Sequence, residues 1–217
     1  MTFKRTPAAL YRKIYKYWKQ YIYQPLFFSF KSENRSKVNL CSGAIHLDGY
    51  WNIDLSVESD WLFDLNKSFP NFRSNSLDVL ICMSAINYFD IQRGKEIIQQ
   101  TYRILRPGGV ARFSVQDFRL IAEKYLSHDR IFFDQVVNDQ PRFPGRTDCE
   151  KVNNWFYGHK AMGNGCKFFY DYETLAMLFY DAGFSIVEQR KYLDSRLPDI
   201  QKIDNRPEQV FFLEAVK

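Results

Sequence analysis

A small-residue turn and a downstream carboxylate form the first pattern in this sequence that could do chemistry. Cys41, Ser42 and Gly43 follow a short apolar segment, and Asp54 ends the next one. In an open α/β sheet such a turn lets the backbone approach a ligand closely, and the acid after the second strand accepts hydrogen bonds from ribose hydroxyls. The pair predicts a site for an adenosine moiety, with a plain structural turn as the alternative.

The spacing of that pair limits the class of ligand. Gly43 and Asp54 are 11 positions apart, whereas the dinucleotide-binding fingerprint places its acid about 20 residues on. The short gap leaves little room for a crossover helix. It therefore disfavours a nicotinamide or flavin dinucleotide.

Further candidates stand after other predicted strands. Asp64 follows a third strand, where it could accept from an exocyclic amine or a ribose, and Ser84 follows the fourth. Asp117 follows the fifth, and His159 lies in an aromatic segment further on. The last two are candidate general bases for an acceptor hydroxyl. The alternatives are a helix cap or salt-bridge partner for Asp117 and a surface or structural role for His159.

Alternating strand and helix patterns from Lys37 onward must position these residues, and they favour an α/β sheet. The helix over 91–105 places its apolar residues on one face and stops at the turn 106–109. The predicted strands are 38–40, 50–54, a short piece near 61–64, 77–83, 110–115, 185–189 and 209–216.

The segment 118–170 is too long for an ordinary connection, so we expect a cap over the site, with helices near 120–126 and 131–137. Asp171 is then predicted to cap a helix that runs to about Asp181 and closes at Gly183. The chain divides into a basic arm, 1–36, and one domain, 37–217.

Five segments carry a resemblance to a known family. Residues 38–43 read VNLCSG, 49–55 GYWNIDL, 75–80 NSLDVL, 103–117 RILRPGGVARFSVQD and 168–175 FFYDYETL. In this order they resemble the class I S-adenosylmethionine-dependent methyltransferases, in particular a short bacterial group often found with saccharide and cell-surface polymer biosynthesis. The resemblance covers about 38–217.

The resemblance implies a Rossmann-like, seven-stranded, mostly parallel sheet with helices on both faces, preceded here by the basic N-terminal helix. It also implies methyl transfer from S-adenosylmethionine to an oxygen or nitrogen of a small-molecule or saccharide acceptor, without a metal. By the same resemblance Cys41–Gly43 would line the methionine end of the cofactor, Asp54 would hold the ribose, Asp64 and Leu65 would border the adenine, and Ser84 would lie beside the sulfonium.

Several positions depart from the family pattern. Cys41 replaces the first glycine of the loop, residues 84–89 replace a histidine-containing stretch, and Gln116 replaces a proline. These departures keep a second interpretation open: a catalytically degenerate methyltransferase fold that serves as a binding or scaffold protein.

The N-terminal arm carries the basic character of the chain. The net charge is +5, yet residues 1–37 hold nine basic residues and one acidic residue, leaving 21 basic and 24 acidic residues for 38–217. The arm reads as a basic, aromatic amphipathic helix. Its aromatic stripe could pack on its own domain, on a second copy in a homodimer, or on an anionic membrane surface through residues 1–30. A nucleic acid is disfavoured because the domain does not continue the basic track.

The four cysteines show neither zinc-site nor disulfide spacing, and no apolar run is long enough to span a membrane. We therefore expect no metal and a cytoplasmic protein, with the inner face of the membrane as a second location.

Overall fold

The computed structural model describes residues 7–23, 35–137, 139–158, 160–161 and 164–217. Seven strands form the main sheet: β1 (Lys37–Leu40), β2 (Tyr50–Asp54), β3 (Trp61–Leu62), β4 (Leu77–Met83), β5 (Leu105–Gln116), β6 (Ile186–Arg190) and β7 (Val210–Val216). The helices are α1 (Pro7–Trp18), α2 (Ile91–Ile104), α3 (Phe118–Leu126), α4 (Arg130–Phe133), α5 (Asp148–Asn153), α6 (Tyr172–Ala182) and α7 (Ile200–Ile203).

The strand order is β6-β7-β5-β4-β1-β2-β3. Strands β1 to β5 pair in parallel, and β7 is antiparallel to both β5 and β6. This is the predicted Rossmann-like, mostly parallel sheet. The order reverses at β1, which has β2 on one side and β4 on the other, so a crevice opens beyond their carboxyl ends.

The two faces of the sheet are covered by different parts of the chain. On one face α2 and α6 pack their apolar residues, among them Ile97, Ile98 and Phe179, against the strands. On the other face the connection between β6 and β7 packs Ile200 and Ile203 with residues such as Ile81. This connection therefore reaches the carboxyl ends of the central strands.

The structure differs from the sequence expectation in the turn at 106–109. Strand β5 already begins at Leu105, because Leu105 pairs with Leu77 of β4. The amide of Gly108 donates to the carbonyl of Lys217 (2.8 Å), and the amide of Lys217 donates to the carbonyl of Gly109 (3.1 Å). The C-terminal residue thus extends the ladder through the expected turn. The pairing with β4 carries an irregularity at this point.

The segment 118–170 forms an aromatic cluster of its own around Ile121, Phe132, Phe133, Phe143 and Phe156. Its second helix is shorter than predicted: α4 ends at Phe133, and Val136–Val137 pairs with Gln140–Pro141 as a hairpin. A short hairpin also joins Lys160–Ala161 to Asn164–Gly165. The predicted helix after Asp171 is confirmed as α6, with Gly183 in a left-handed conformation at its end.

The basic N-terminal helix is confirmed as α1, which continues into a π-helical turn over Lys19–Tyr23. The ammonium group of Lys19 is buried and donates to the carbonyl oxygens of Val57 (3.0 Å) and Ser59. The rest of the predicted arm, 1–6 and 24–34, lies outside the described residues. Within the described ranges, no helix is long and apolar enough to cross a membrane.

Candidate functional site

A cleft of about 630 Å³ lies beyond the carboxyl ends of β1, β2 and β4. This volume is within the range of small-molecule and cofactor sites. Of the sequence-predicted residues, the structure brings six into the cleft wall: Cys41, Ser42, Gly43, Asp54, Leu65 and Ser84. The residues at the carboxyl ends of β1, β2 and β4 therefore converge at one cleft.

The turn after β1 has an unusual backbone. Cys41 has φ 56° and Gly43 φ 59°, both in the left-handed region. A residue with a Cβ in this region costs about 1–2 kcal/mol, so the cysteine occupies a position that suits glycine better. The turn is fixed by hydrogen bonds from the amide of Ser42 to Ile53 O (3.2 Å) and from that of Ile45 to Ser42 O (3.0 Å).

Asp54 connects the end of β2 to this turn. One carboxylate oxygen, Oδ2, accepts from the amide of Gly43 (3.0 Å), and Oδ1 accepts from that of Ser56 (2.8 Å). Two backbone amides therefore fix the half-buried carboxylate at the cleft wall. Because an ionised carboxylate can accept about four hydrogen bonds, capacity remains for a ligand.

Ser84 directly follows β4 and has φ 53°. Its amide donates to Ser114 O (2.9 Å) and Oγ (3.0 Å), which holds the residue against β5. The hydroxyl oxygens of Ser84 and Ser42 are buried and have no hydrogen-bond partner within the described residues. Buried polar atoms without a partner are rare, and a bound ligand in the cleft would satisfy both.

Asp64 is not brought into the cleft wall. Its Oδ1 accepts from the amide (3.0 Å) and the side-chain nitrogen (3.2 Å) of Asn66, so it caps the turn after β3. The neighbours Phe63, Leu65 and Asn66 do line the cleft. This part of the wall thus offers apolar surface and an amide.

Asp117, the predicted base within the described residues, is not in the cleft wall. Asp117 caps α3, accepting from the amides of Arg119 (3.0 Å) and Leu120 (3.3 Å). Burial raises the pKa of its carboxyl above the usual value, although these amides act in the opposite direction. His159 lies outside the described residues.

The sequence reasoning missed one side of the cleft, formed by Tyr88 after β4 and by Lys202, Asn205 and Arg206 from the connection before β7. Burial raises the pKa of Tyr88, the Cys166 thiol adds to the rise, and the Arg206 charge lowers it. Arg206 therefore lies within electrostatic reach of Tyr88. In the sequence, this side is marked by two basic residues, Lys202 and Arg206, just before the last strand. Neither of them follows a parallel strand, which is where ligand-binding residues are expected in such a sheet.

No group of three or more His, Cys, Asp or Glu side chains in the described ranges is placed to hold a metal ion. The described cysteines are all free thiols.

Residues 60–113, which run from β3 into β5, match the family model described as a methyltransferase domain. The match covers 54 of the 217 residues. A search of the curated proteins found no match.

Solved structures similar to this chain include a SAM-dependent methyltransferase from Archaeoglobus fulgidus (12% identity, TM-score 0.49, covering 95% of this chain and 94% of that one). A second is an S-adenosylmethionine-dependent methyltransferase from Mesorhizobium loti (15% identity, TM-score 0.47, covering 83% of this chain and 90% of that one). A third is an O-methyltransferase family protein from Burkholderia thailandensis (14% identity, TM-score 0.47, covering 84% of this chain and 51% of that one). The chain therefore spans about half the length of this third protein.

Proposed function

We propose that this protein transfers a methyl group from S-adenosylmethionine to an oxygen or nitrogen of a small-molecule or saccharide acceptor. The observation that carries the proposal is Asp54, fixed by two backbone amides at the wall of a cleft at the sheet's switch point. The segment that matches the methyltransferase-domain model, 60–113, contains β4, whose carboxyl end also borders this cleft.

The residues present fit this cofactor. Asp54 would accept from the ribose hydroxyls, and Phe63 with Leu65 offers an apolar wall for the adenine. The turn Cys41–Gly43 would line the methionine end, with Ser84 beside the sulfonium. The buried hydroxyls of Ser42 and Ser84, which have no partner within the described residues, would gain one.

When bound, the cofactor supplies an electrophilic methyl group on a sulfonium. The task of the chain is then to hold the acceptor atom in line with that group, and orientation alone can contribute several kcal/mol. Asp117 stays the predicted proton acceptor. The raised pKa of its carboxyl favours proton uptake. Because the carboxylate accepts hydrogen bonds from the first amides of α3, these bonds must break, or a water molecule must relay the proton, before Asp117 can accept it.

Calorimetric titration with S-adenosylhomocysteine tests the proposal. We expect Asp54→Asn to weaken binding at least tenfold, because charge-assisted hydrogen bonds to the ribose are lost. Asp48→Asn is the matched control, since this carboxylate stands six residues earlier and is fully exposed.

Circular dichroism checks that each variant is folded. If the folded wild-type protein binds neither S-adenosylmethionine nor S-adenosylhomocysteine, the proposal fails and the non-enzymatic scaffold becomes the better interpretation. If the cofactor binds, a screen of sugars and small alcohols or amines follows, with transferred methyl as the readout.

We also propose that the N-terminal helix contacts an anionic membrane surface. Ile14, Tyr17 and Tyr21 are each about 60% exposed, and Tyr17 packs on Tyr21 with ring centroids 4.7 Å apart. An exposed aromatic surface on a basic segment is the composition of interfacial helices.

Co-sedimentation with vesicles of phosphatidylserine and phosphatidylcholine tests membrane contact. Binding should fall with salt and with Ile14→Ser, whereas Ile131→Ser, which alters an 89% exposed isoleucine on α4, leaves it unchanged. A dimer in sedimentation that dissociates with Ile14→Ser, together with no vesicle binding, would instead assign this surface to a homodimer.

A further inference from the structure

Two exposed basic residues on one side of the cleft have no side-chain partner among the described residues. Lys202 and Arg206 line the cleft, and neither forms an ion pair or side-chain hydrogen bond with the residues described. Other arginines nearby are paired, for example Arg196 with Glu188 (2.7 Å). Arginine at an unpaired cleft position is suited to an oxyanion, because its planar guanidinium donates two parallel hydrogen bonds.

Arg206 is placed at the end of the sheet where an acceptor would lie. It begins the turn into β7, closed by a hydrogen bond from the amide of Gln209 to Arg206 O (3.0 Å). The carbonyl of Gln209 then accepts from the amide of Asp117 (3.0 Å), directly after β5. In the sheet order, β1, β4 and β5 lie between β7, which follows Arg206, and β2, which ends at Asp54.

A buried ion cluster fixes the segment that carries Arg206. The Arg112 guanidinium, fully buried on β5, donates to both carboxylate oxygens of Asp204 (2.8 and 2.6 Å) and to Glu214 (3.3 Å). Asp204 also accepts from the amide of Leu193 (2.8 Å). Asp204 is two residues before Arg206, so this cluster anchors the cationic side of the cleft.

The backbone of Arg206 is itself constrained. Its φ is 53°, in the left-handed region that a side chain makes costly. Such conformations persist where the surrounding structure enforces them, and they are concentrated at functional sites. Here the enforcing contacts are the Asp204 anchor on one side and the Gln209 turn on the other.

The charges in the cleft also need a counterpart. Asp54 is the only carboxylate among the described lining residues, which also include Lys202 and Arg206. A sulfonium cofactor would add further positive charge to the cleft. A negatively charged acceptor would balance this excess, whereas beside a neutral acceptor only solvent and salt would screen the two exposed cations.

We propose that Arg206, assisted by Lys202, binds a carboxylate or phosphate group of the methyl acceptor. The substrate class is therefore an acidic small molecule, such as a uronic acid or a sugar phosphate. This inference rests on the proposed function, because it deepens the same site. The carboxylate of the cofactor's own methionine moiety is the other source of this chemistry.

Two nucleoside ligands show whether Arg206 binds an anionic group of the acceptor or the carboxylate of the cofactor. 5′-Methylthioadenosine lacks the amino-acid end that S-adenosylhomocysteine carries. If Arg206 binds the acceptor, Arg206→Gln changes the affinity for both ligands less than threefold. A loss of tenfold or more for S-adenosylhomocysteine alone would show that Arg206 holds the cofactor's carboxylate, and it would overturn the proposal.

Inorganic phosphate is the direct probe. It is titrated at constant ionic strength into protein saturated with S-adenosylhomocysteine, while the Nε–H signal of Arg206 is followed by NMR. The signal is assigned by its loss in Arg206→Gln. We expect saturable, millimolar binding of phosphate to the wild-type protein. Lys202→Gln should weaken this binding severalfold. Arg206→Gln should weaken it at least tenfold, as measured by calorimetry.

Arg73→Gln is the matched control, since Arg73 is exposed and precedes β4 at the opposite end of the sheet. Phosphate binding that is absent, or that Arg73→Gln and Arg206→Gln reduce equally, would overturn the proposal. Failure of S-adenosylhomocysteine to bind any variant would instead refute the proposed function, so the two failures are distinguishable.

Discussion

The two sides of the cleft hold their charged groups in different ways. Asp54 is fixed by amides from residues within 11 positions of it, Gly43 and Ser56. Arg206 is placed by an ion cluster that joins β5, β7 and the connection between β6 and β7. The position of Asp54 is thus set by contacts that are close along the chain, whereas the position of Arg206 depends on contacts that are distant along the chain.

The largest expected effect comes from breaking the ion cluster. Arg112→Met leaves the fully buried carboxylate of Asp204 without its ion-pair partner. It also removes one of the two arginines that pair with Glu214, the other being Arg196. Loss of one member of a buried ion cluster typically costs about 3–5 kcal/mol. Urea denaturation measures the free energy of unfolding.

Arg106→Gln is the control, because Arg106 pairs with Asp78 at the surface (2.7 Å) and should matter by about 1 kcal/mol or less. Equal losses in the two variants would contradict the role given to the buried cluster. If Arg112→Met is still folded, it should weaken phosphate binding without changing affinity for S-adenosylhomocysteine.

An intermediate effect is expected from Asp60, which supports the Asp54 side. Burial opposes ionisation of its carboxyl, but hydrogen bonds from Asn52 and His46 outweigh this and hold its pKa below the usual value. A lowered folded-state pKa contributes stability above the unfolded value of about 3.9, and this contribution is lost as the pH falls through the folded pKa.

Asp60→Asn should therefore lose less stability than the wild-type protein between pH 5 and about pH 3, as measured by thermal unfolding. The exposed control Asp48→Asn should follow the wild-type curve. An Asp60→Asn curve as steep as that of the wild-type protein would show that other carboxyls govern acid unfolding.

The smallest effect is expected at Cys41. Replacing it with glycine removes a Cβ from a left-handed position but makes the unfolded chain more flexible. We expect Cys41→Gly to be neutral or more stable by up to about 1 kcal/mol, with unchanged or tighter S-adenosylhomocysteine binding. A loss of several kcal/mol would mean that packing of the thiol outweighs the backbone strain.

The same contrast explains what could be predicted from sequence. The ends of β1, β2 and β4 were predictable because each apolar strand is followed directly by its site residue, as at Asp54 and Ser84. Arg206 was not, because its position follows from the antiparallel pairing of β7 with β5. Likewise the expected turn at 106–109 is part of β5 because Leu105 pairs with Leu77 and because Lys217 pairs with Gly108 and Gly109.

The most direct test of the account is a crystal structure with S-adenosylhomocysteine bound. We predict the ribose hydroxyls on the Asp54 carboxylate, the methionine end along Cys41–Gly43, and the Arg206 guanidinium free of the ligand and facing the space beyond the sulfur. Ligand bound elsewhere, or a cleft that stays empty at saturating ligand, would contradict the assignment of this cleft as the methyl-transfer site.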